Sequence, residues 1–260
     1  MLACYSKEDP PPDRVKPIPV PILRHIMAHA TLAGNPADQA IADMICLAFF
    51  FLLRPGEYTG TTSDTQPFHL QDVEFYLGDL RLNKHTSTAD QLLAATFVTL
   101  EFTTQKNSVR GEIIGLGRSG DPSFCPVSAA ARRVLDLRQA QASNTQPLAS
   151  YLHPVTNRLR RIAPKDITHL LRLAVSVLGP QYRFLPKNIS VRSLRASGAM
   201  ALLCANVDTD RIRLIGRWRS DEMLRYLHVQ AEPIMRHFSS RMLAGGNFTL
   251  LPNHEVPLLV

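Results

Sequence analysis

The sequence predicts a mainly helical protein with a small three-stranded antiparallel sheet, an α+β fold. Apolar residues recur every three or four positions near both ends of the chain, which is typical of buried helices. Between residues 73 and 116 they recur at every second position, which indicates strands. With 260 residues, 45% of them hydrophobic, the chain can bury a substantial core.

The first 21 residues are rich in proline. Pro10, Pro11, Pro12, Pro17, Pro19 and Pro21 favour an extended segment that cannot enter a helix interior. We therefore expect residues 1–21 to be the remnant of an interdomain linker, which suggests that a preceding domain has been lost or is encoded elsewhere. Residues 22–245 should form the main domain, and residues 246–260 a C-terminal tail.

Two buried helices are predicted after this linker. Ile22, Ile26 and His29 are spaced four and three residues apart, as on one face of a helix. Asn35-Pro36 marks a break, and an apolar segment then runs from Ile41 to Leu53. Three strands should follow, around Val73, Phe97 and Ile113. A polar turn at residues 105–108 would join the second and third strands, with Lys106 at its tip.

The chain is predicted to be helical again after Pro126. Asn206 is a plausible helix stop, and Asp208 or Thr209 can cap the helix that follows. The predicted helices are Val127–Ala140, Asp166–Leu178, Ser193–Cys204, Thr209–Ile215, Glu222–His228 and Pro233–Leu243.

Positive charge is concentrated in one part of the chain. The whole chain has a net charge of +7. Residues 158–225 contain fourteen Lys and Arg but only five Asp and Glu, a net charge of +9, so the rest of the chain is slightly acidic. Such a segment favours a polyanionic partner such as DNA, since neutralising phosphates releases counterions. A solvated helical surface is the alternative explanation on charge alone.

Neither a metal site nor a membrane span is predicted. The four cysteines are far apart, and His25 and His29 lack the glutamate of a zinc-protease helix. The longest apolar run, residues 44–53, is far shorter than the ~20 residues needed to cross a bilayer. We expect no cofactor and a reducing, intracellular location, the nucleus if the organism is eukaryotic.

Four short segments carry residues suited to phosphate chemistry. Arg54 ends an apolar run and is followed by Glu57, although an arginine there also suits a helix C-terminus. Lys106 could reach a phosphate from its turn.

Arg192 and Arg195 begin a helix, where a bound anion would offset their unfavourable position. The fourth segment, residues 216–226, contains Trp218, the only tryptophan, and Tyr226.

In this order the segments resemble the catalytic domain of the tyrosine recombinase (phage integrase) family, over roughly residues 22–243. The resemblance implies a recombinase catalytic-domain-like fold and a catalytic set of Arg54, Lys106, Arg195, Trp218 and Tyr226, with Glu57 supporting Arg54. It also suggests contacts to DNA from neighbouring residues, namely Arg192, Ser193, Arg217, Arg219 and Arg225. The C-terminal block is most similar to recombinases of eukaryotic Crypton or DIRS-like mobile elements.

Two departures from the family pattern stand out. Arg192 occupies the place of the usual histidine, three residues before the second arginine. The family's histidine or tryptophan more often lies nine residues before the tyrosine, where this chain has Arg217, with Trp218 at eight. Either residue could fill that role.

The resemblance implies an enzyme that cuts and rejoins double-stranded DNA through a 3′-phosphotyrosyl intermediate, as a tetramer on DNA. Three alternatives remain open at this stage. The chain could be an inactive DNA-binding remnant of a mobile-element recombinase, a helix-turn-helix regulator built on residues 196–218, or a helical protein without a nucleic-acid role.

Overall fold

The computed structural model describes residues 16–59, 66–103, 111–182, 184–218, 223 and 238–245. Its helices are α1 (Val20–Ala33), α2 (Pro36–Phe50), α3 (Pro55–Thr59), α4 (Ala89–Ala94), α5 (Pro126–Gln139), α6 (Pro164–Leu178), α7 (Ser193–Cys204), α8 (Thr209–Ile215) and α9 (Phe238–Gly245). Its strands are β1 (Val73–Leu77), β2 (Leu80–Leu82), β3 (Phe97–Phe102), β4 (Glu112–Gly117), β5 (Ser150–Leu152) and β6 (Leu159–Arg161).

Helix α2 lies at the centre of the helical core. It packs against α1, α5 and α7, and nearly all of its side chains from Ala40 to Phe49 are buried. A helix that is apolar on every side is suited to this position. The Asn35 side chain begins it by accepting a hydrogen bond of 3.0 Å from the Ala37 amide.

The two helices predicted over residues 22–53 are confirmed with shifted ends, since the second begins at Pro36 and stops at Phe50, three residues before Leu53. Helix α1 begins at Val20 and not after Pro21, so Pro21 lies in its first turn. A proline is tolerated there because the first amides of a helix have no partner within the helix. Residues 1–15 lie outside the described part of the chain, and the linker remnant stays a prediction.

The prediction of a three-stranded sheet is wrong in its strand number. Four antiparallel strands pair in the order β2-β1-β3-β4. The additional strand, β2, follows a two-residue turn at Gly78-Asp79, because Leu77 pairs with Leu80. Gly78 has a φ of 58°, which glycine adopts without steric cost. A separate two-stranded sheet, β5 with β6, was also not predicted.

The helices of the second half follow the predicted order. Helices α5, α6, α7 and α8 agree with the predictions within two residues. Asp208 caps α8, since its Oδ1 accepts from the Asp210 and Arg211 amides at 2.9 and 3.3 Å. The predicted helix over residues 222–228 lies outside the described residues apart from Met223, and the described part of the last helix runs from Phe238 to Gly245.

A buried ionic cluster joins α2 to α5. Asp43, fully buried on α2, accepts from Arg132 at 2.6 and 2.9 Å and from Arg133 at 3.3 Å. Arg133 is also fully buried and donates to the Ser150 carbonyl of β5 at 3.0 Å. The cluster holds α2, α5 and β5 together.

Candidate active site

The site begins where α2 ends. The helix stops at Phe50, and Leu52 adopts a φ of 51°, a left-handed conformation that is uncommon outside glycine and asparagine. The chain then turns into the short helix α3 at Pro55. The carbonyl groups of Phe51 and Leu52 accept hydrogen bonds from arginines that are far away in the sequence.

Arg54 and Glu57 form an ion pair across the first turn of α3. Arg54 Nη1 donates to Glu57 Oε1 at 3.0 Å, and the Arg54 amide donates to Glu57 Oε2 at 2.7 Å. The Glu57 side chain is 2% exposed, whereas that of Arg54 is 21% exposed. Glu57 therefore fixes the Arg54 main chain and one side of its guanidinium, and leaves part of the guanidinium accessible to solvent.

Arg195 reaches the same region from α7. It is buried, and its Nη1 donates to the Leu52 carbonyl at 2.6 Å, while its Nη2 donates to the carbonyl of Gly216. This approach requires a small residue on α7. A Cβ at Gly198 would overlap the Phe49 carbonyl and the Leu52 side chain, so glycine lets α7 lie directly against the end of α2.

The segment 216–218, directly after α8, completes the site. Arg217 has a φ of 57°, which turns the chain sharply. The Gly216 carbonyl accepts from Arg195, and the Arg217 carbonyl accepts from Arg54 Nη2 at 3.2 Å. The Arg195 guanidinium carbon lies 4.0 Å from the centroid of the Trp218 ring, within the range of a cation–π contact.

The Arg217 side chain lies below these groups. Its Nη2 donates to Glu57 Oε2 at 2.8 Å, and its Nη1 donates to the carbonyls of Phe51 and Ile215, both at 3.2 Å. Its Nε is buried without a hydrogen-bond partner in the described part of the chain. Burial lowers the pKa of the Arg217 guanidinium and the charge of Arg54 lowers it further, while Glu57 acts in the opposite direction.

The arrangement is suited to binding an anion. Three guanidinium groups meet within one cluster, where the carboxylate of Glu57 balances one of their positive charges. Guanidinium groups are planar forks that match phosphate oxygens, and charge-assisted hydrogen bonds are stronger than neutral ones. In the described ranges, no group of three or more His, Cys, Asp or Glu could hold a metal ion.

The comparisons with known proteins bear on the fold. No family profile and no curated protein matches the sequence. Among solved structures, XerA recombinase is similar with a TM-score of 0.52 at 15% sequence identity, over 90% of this chain and 66% of that chain. The fold is similar to that of a recombinase. This chain thus spans about two thirds of the length of the XerA chain.

A second similar structure is the Tn1549 transposon integrase in complex with circular intermediate DNA. Its TM-score is 0.47 at 16% identity, over 88% of this chain and 65% of that chain. The prediction of a recombinase catalytic-domain-like fold, mainly helical with a small antiparallel sheet, is confirmed apart from the strand number. The resemblance to Crypton or DIRS-like elements stays a prediction.

Four of the predicted catalytic and supporting residues lie together in this recombinase-like fold. Arg54, Glu57, Arg195 and Trp218 are joined by the contacts described above. Lys106, Arg219, Arg225 and Tyr226 lie outside the described residues. The strand that leads to Lys106 does reach the site, because the Phe102 ring centroid is 3.7 Å from the Arg217 guanidinium carbon.

The residues predicted to contact DNA have different environments. Arg192 is exposed at the start of α7, whereas Ser193 is fully buried and its hydroxyl accepts from the Ser190 amide at 3.2 Å. Arg217 is also buried. Direct contacts from Ser193 and Arg217 to DNA stay predictions, although protein atoms already surround both side chains. The exposed cations near the start of the basic segment are Arg158, Arg160, Arg161 and Lys165.

Several contributors to the site were not predicted from the sequence. Leu52 and Gly216 act through their carbonyl groups, which every residue has, so their side chains gave no signal. Phe102 lies at the end of a strand that was predicted around Phe97, and its role in the site was not predicted. Gly198, in a helix of small residues, was the one detectable sign of a close helix contact.

Proposed function

We propose that this chain is the catalytic domain of a site-specific DNA recombinase or integrase, which cuts and rejoins double-stranded DNA through a 3′-phosphotyrosyl intermediate. One observation carries the proposal: Arg54 and Arg195 donate to the successive carbonyls of residues 217 and 216. They therefore lie next to each other in a fold similar to that of XerA recombinase, whose name supports the same class of reaction.

The two arginines would bind the non-bridging oxygens of the scissile phosphate. Negative charge on these oxygens increases as the phosphorus becomes pentacoordinate, so preorganised guanidinium groups stabilise the transition state more than the ground state. Glu57 and the carbonyl groups of the site already fix both side chains, which reduces the reorganisation required during the reaction.

Tyr226 would be the nucleophile and Lys106 the general acid. The phenolic oxygen of Tyr226 loses its proton to solvent and forms a bond to phosphorus as the bond from phosphorus to the 5′-oxygen breaks, and Lys106 gives a proton to that departing oxygen. In the reverse sense, a 5′-hydroxyl of a partner strand attacks the phosphotyrosine and releases Tyr226. Because the phosphotyrosyl bond retains the energy of the phosphodiester, no nucleotide cofactor is needed.

A second candidate function is DNA binding without catalysis, as expected of a decayed mobile-element recombinase. Arg192 favours it, because the family has histidine at this place and a guanidinium can supply charge but cannot accept a proton. In this case the exposed cations at residues 158, 160, 161 and 165 would still bind the DNA backbone.

The two functions can be separated with nicked suicide substrates. Duplexes cut from the DNA that flanks the coding sequence would be incubated with the wild type and with Tyr226→Phe, and adducts resistant to denaturant would be counted. We expect an adduct with the wild type only. Salt-sensitive binding of the same duplexes without any adduct would favour the second candidate, and no binding at all would reject both.

A further inference from the structure

We infer that Arg217 is a positioning residue that fixes Arg54 and Arg195 for phosphate binding and does not itself contact DNA. The inference rests on the proposed function and assigns a role to the residue that replaces the usual histidine or tryptophan at this register. Two independent sets of contacts support it, one from the main chain of Arg217 and one from its side chain.

The main chain at Arg217 orients two hydrogen-bond acceptors. Its φ of 57° bends the chain so that the Gly216 carbonyl meets Arg195 and the next carbonyl, that of Arg217, meets Arg54 at 3.2 Å. A left-handed conformation is unfavourable for arginine and persists only where its surroundings hold it. The side-chain contacts of Arg217 are suited to supply that restraint.

The Arg217 side chain joins several separate elements. It donates to Glu57 on α3, to Phe51 at the end of α2 and to Ile215 at the end of α8. Its guanidinium also lies against the Phe102 ring at the end of β3. Glu57 Oε2 accepts both from Arg217 and from the Arg54 amide, so the position of Arg54 depends on Arg217 through one shared oxygen.

Pairing with the buried Glu57 carboxylate, together with burial, separates Arg217 from a direct role in DNA binding. Arg195 is equally buried but is fixed by the Leu52 and Gly216 carbonyls. The Arg217 side chain is 2% exposed, compared with 21% for Arg54. A phosphate could reach Nη1 and Nη2 of Arg217 only by displacing Glu57 or the carbonyl groups that they contact, and the unpartnered Nε is buried. A change at Arg217 should therefore lower the rate at which bound DNA reacts more than it weakens DNA binding, to which many other phosphate contacts contribute.

The test uses Arg217→Gly, because glycine adopts the same φ without strain and leaves space where the guanidinium was. We expect the adduct to form on the order of 100-fold more slowly from bound suicide substrate, since a small misplacement of a positioning group has this effect. The DNA dissociation constant should increase by much less than the rate falls, and its salt dependence should not change. Guanidinium ion at a sub-denaturing concentration should restore part of the rate of Arg217→Gly. The variant Arg217→Lys, which lacks the planar fork of the guanidinium, should react as slowly as Arg217→Gly.

The matched control is Arg213→Gln on α8, which removes a half-exposed arginine paired with Asp210 and should leave the rate unchanged. A DNA contact by Arg217 would instead reduce the slope of log affinity against log salt by about one. That result, or a normal rate in Arg217→Gly, would overturn the inference.

A second measurement separates this inference from the proposed function. If the wild type forms no adduct, the proposed function fails, and inorganic phosphate can still be titrated against the fluorescence of Trp218, the only tryptophan, which lies beside Arg195. We expect phosphate to bind at least tenfold more weakly to Arg217→Gly than to the wild type, with rescue by guanidinium. Equal binding, or none to the wild type, would contradict the positioning role.

Discussion

The guanidinium carbon of Arg195 lies 4.0 Å from the centroid of the Trp218 ring, and both side chains are buried. An indole face attracts a cation through its quadrupole and is the strongest aromatic partner for this contact. The ring therefore limits where the Arg195 guanidinium can lie, while the Leu52 and Gly216 carbonyls determine the direction of its N–H groups.

Replacing Trp218 should affect both stability and reaction. We expect Trp218→Ala to lower the free energy of unfolding by roughly 3–5 kcal/mol, the usual cost of removing a buried large aromatic side chain. Trp218→Phe retains a ring beneath Arg195 and should lose less of both stability and adduct formation. Urea denaturation and the suicide-substrate assay measure the two effects. Equal losses in the two variants would show that the aromatic face is unimportant.

Gly198→Ala should destabilise the protein, although the same change stabilises most helices by about 1 kcal/mol. An added Cβ would overlap the Phe49 carbonyl and the Leu52 side chain, so α7 must move away from α2. We expect a loss of roughly 1–3 kcal/mol in urea denaturation, as in other overpacked cores. A gain in stability would mean that α7 does not approach α2 this closely.

Asp43 should be important for stability because it is the buried acceptor shared by Arg132 and Arg133. Removing one partner of a buried ion pair leaves an uncompensated charge, so Asp43→Ala should cost roughly 3–5 kcal/mol in the free energy of unfolding. The control is Asp136→Ala, which removes a half-exposed partner of Arg133 and should cost much less. Similar losses in both variants would contradict this account.

Arg192→His should accelerate adduct formation. Imidazole can accept the proton that the tyrosine phenol loses, and general base catalysis contributes roughly 100-fold or more. The rate of this variant should increase with pH through about 6.5, the ordinary pKa of histidine, because only the neutral ring accepts a proton. Arg192→Gln removes the charge without supplying a base and should show neither effect. Single-turnover rates across pH distinguish the three proteins.

Hydrophobic periodicity predicted the long elements of the fold. Helices α5, α6 and α7 repeat the apolar spacing over twelve or more residues, which is enough to identify both type and position. Strands β2, β5 and β6 have three residues each, too few for an alternating pattern to show. The Gly78-Asp79 turn was the available sign of β2.

The residue types of the site were predictable, but its geometry was not. Arg54, Arg195 and Trp218 could be selected because their order matched a known pattern. The left-handed conformations of Leu52 and Arg217 gave no sign in the sequence, since glycine or asparagine usually marks such positions. Arginine is also seldom buried, so the enclosed position of Arg217 depends on tertiary contacts that local sequence does not encode.

The most direct test of the account is to identify the residue that carries DNA after reaction with a suicide substrate. After nuclease and trypsin digestion, the account predicts a nucleotide on the peptide of residues 226–236, whose single tyrosine is Tyr226. Attachment to any other residue, or no attachment from a protein that binds the same duplex, would contradict it.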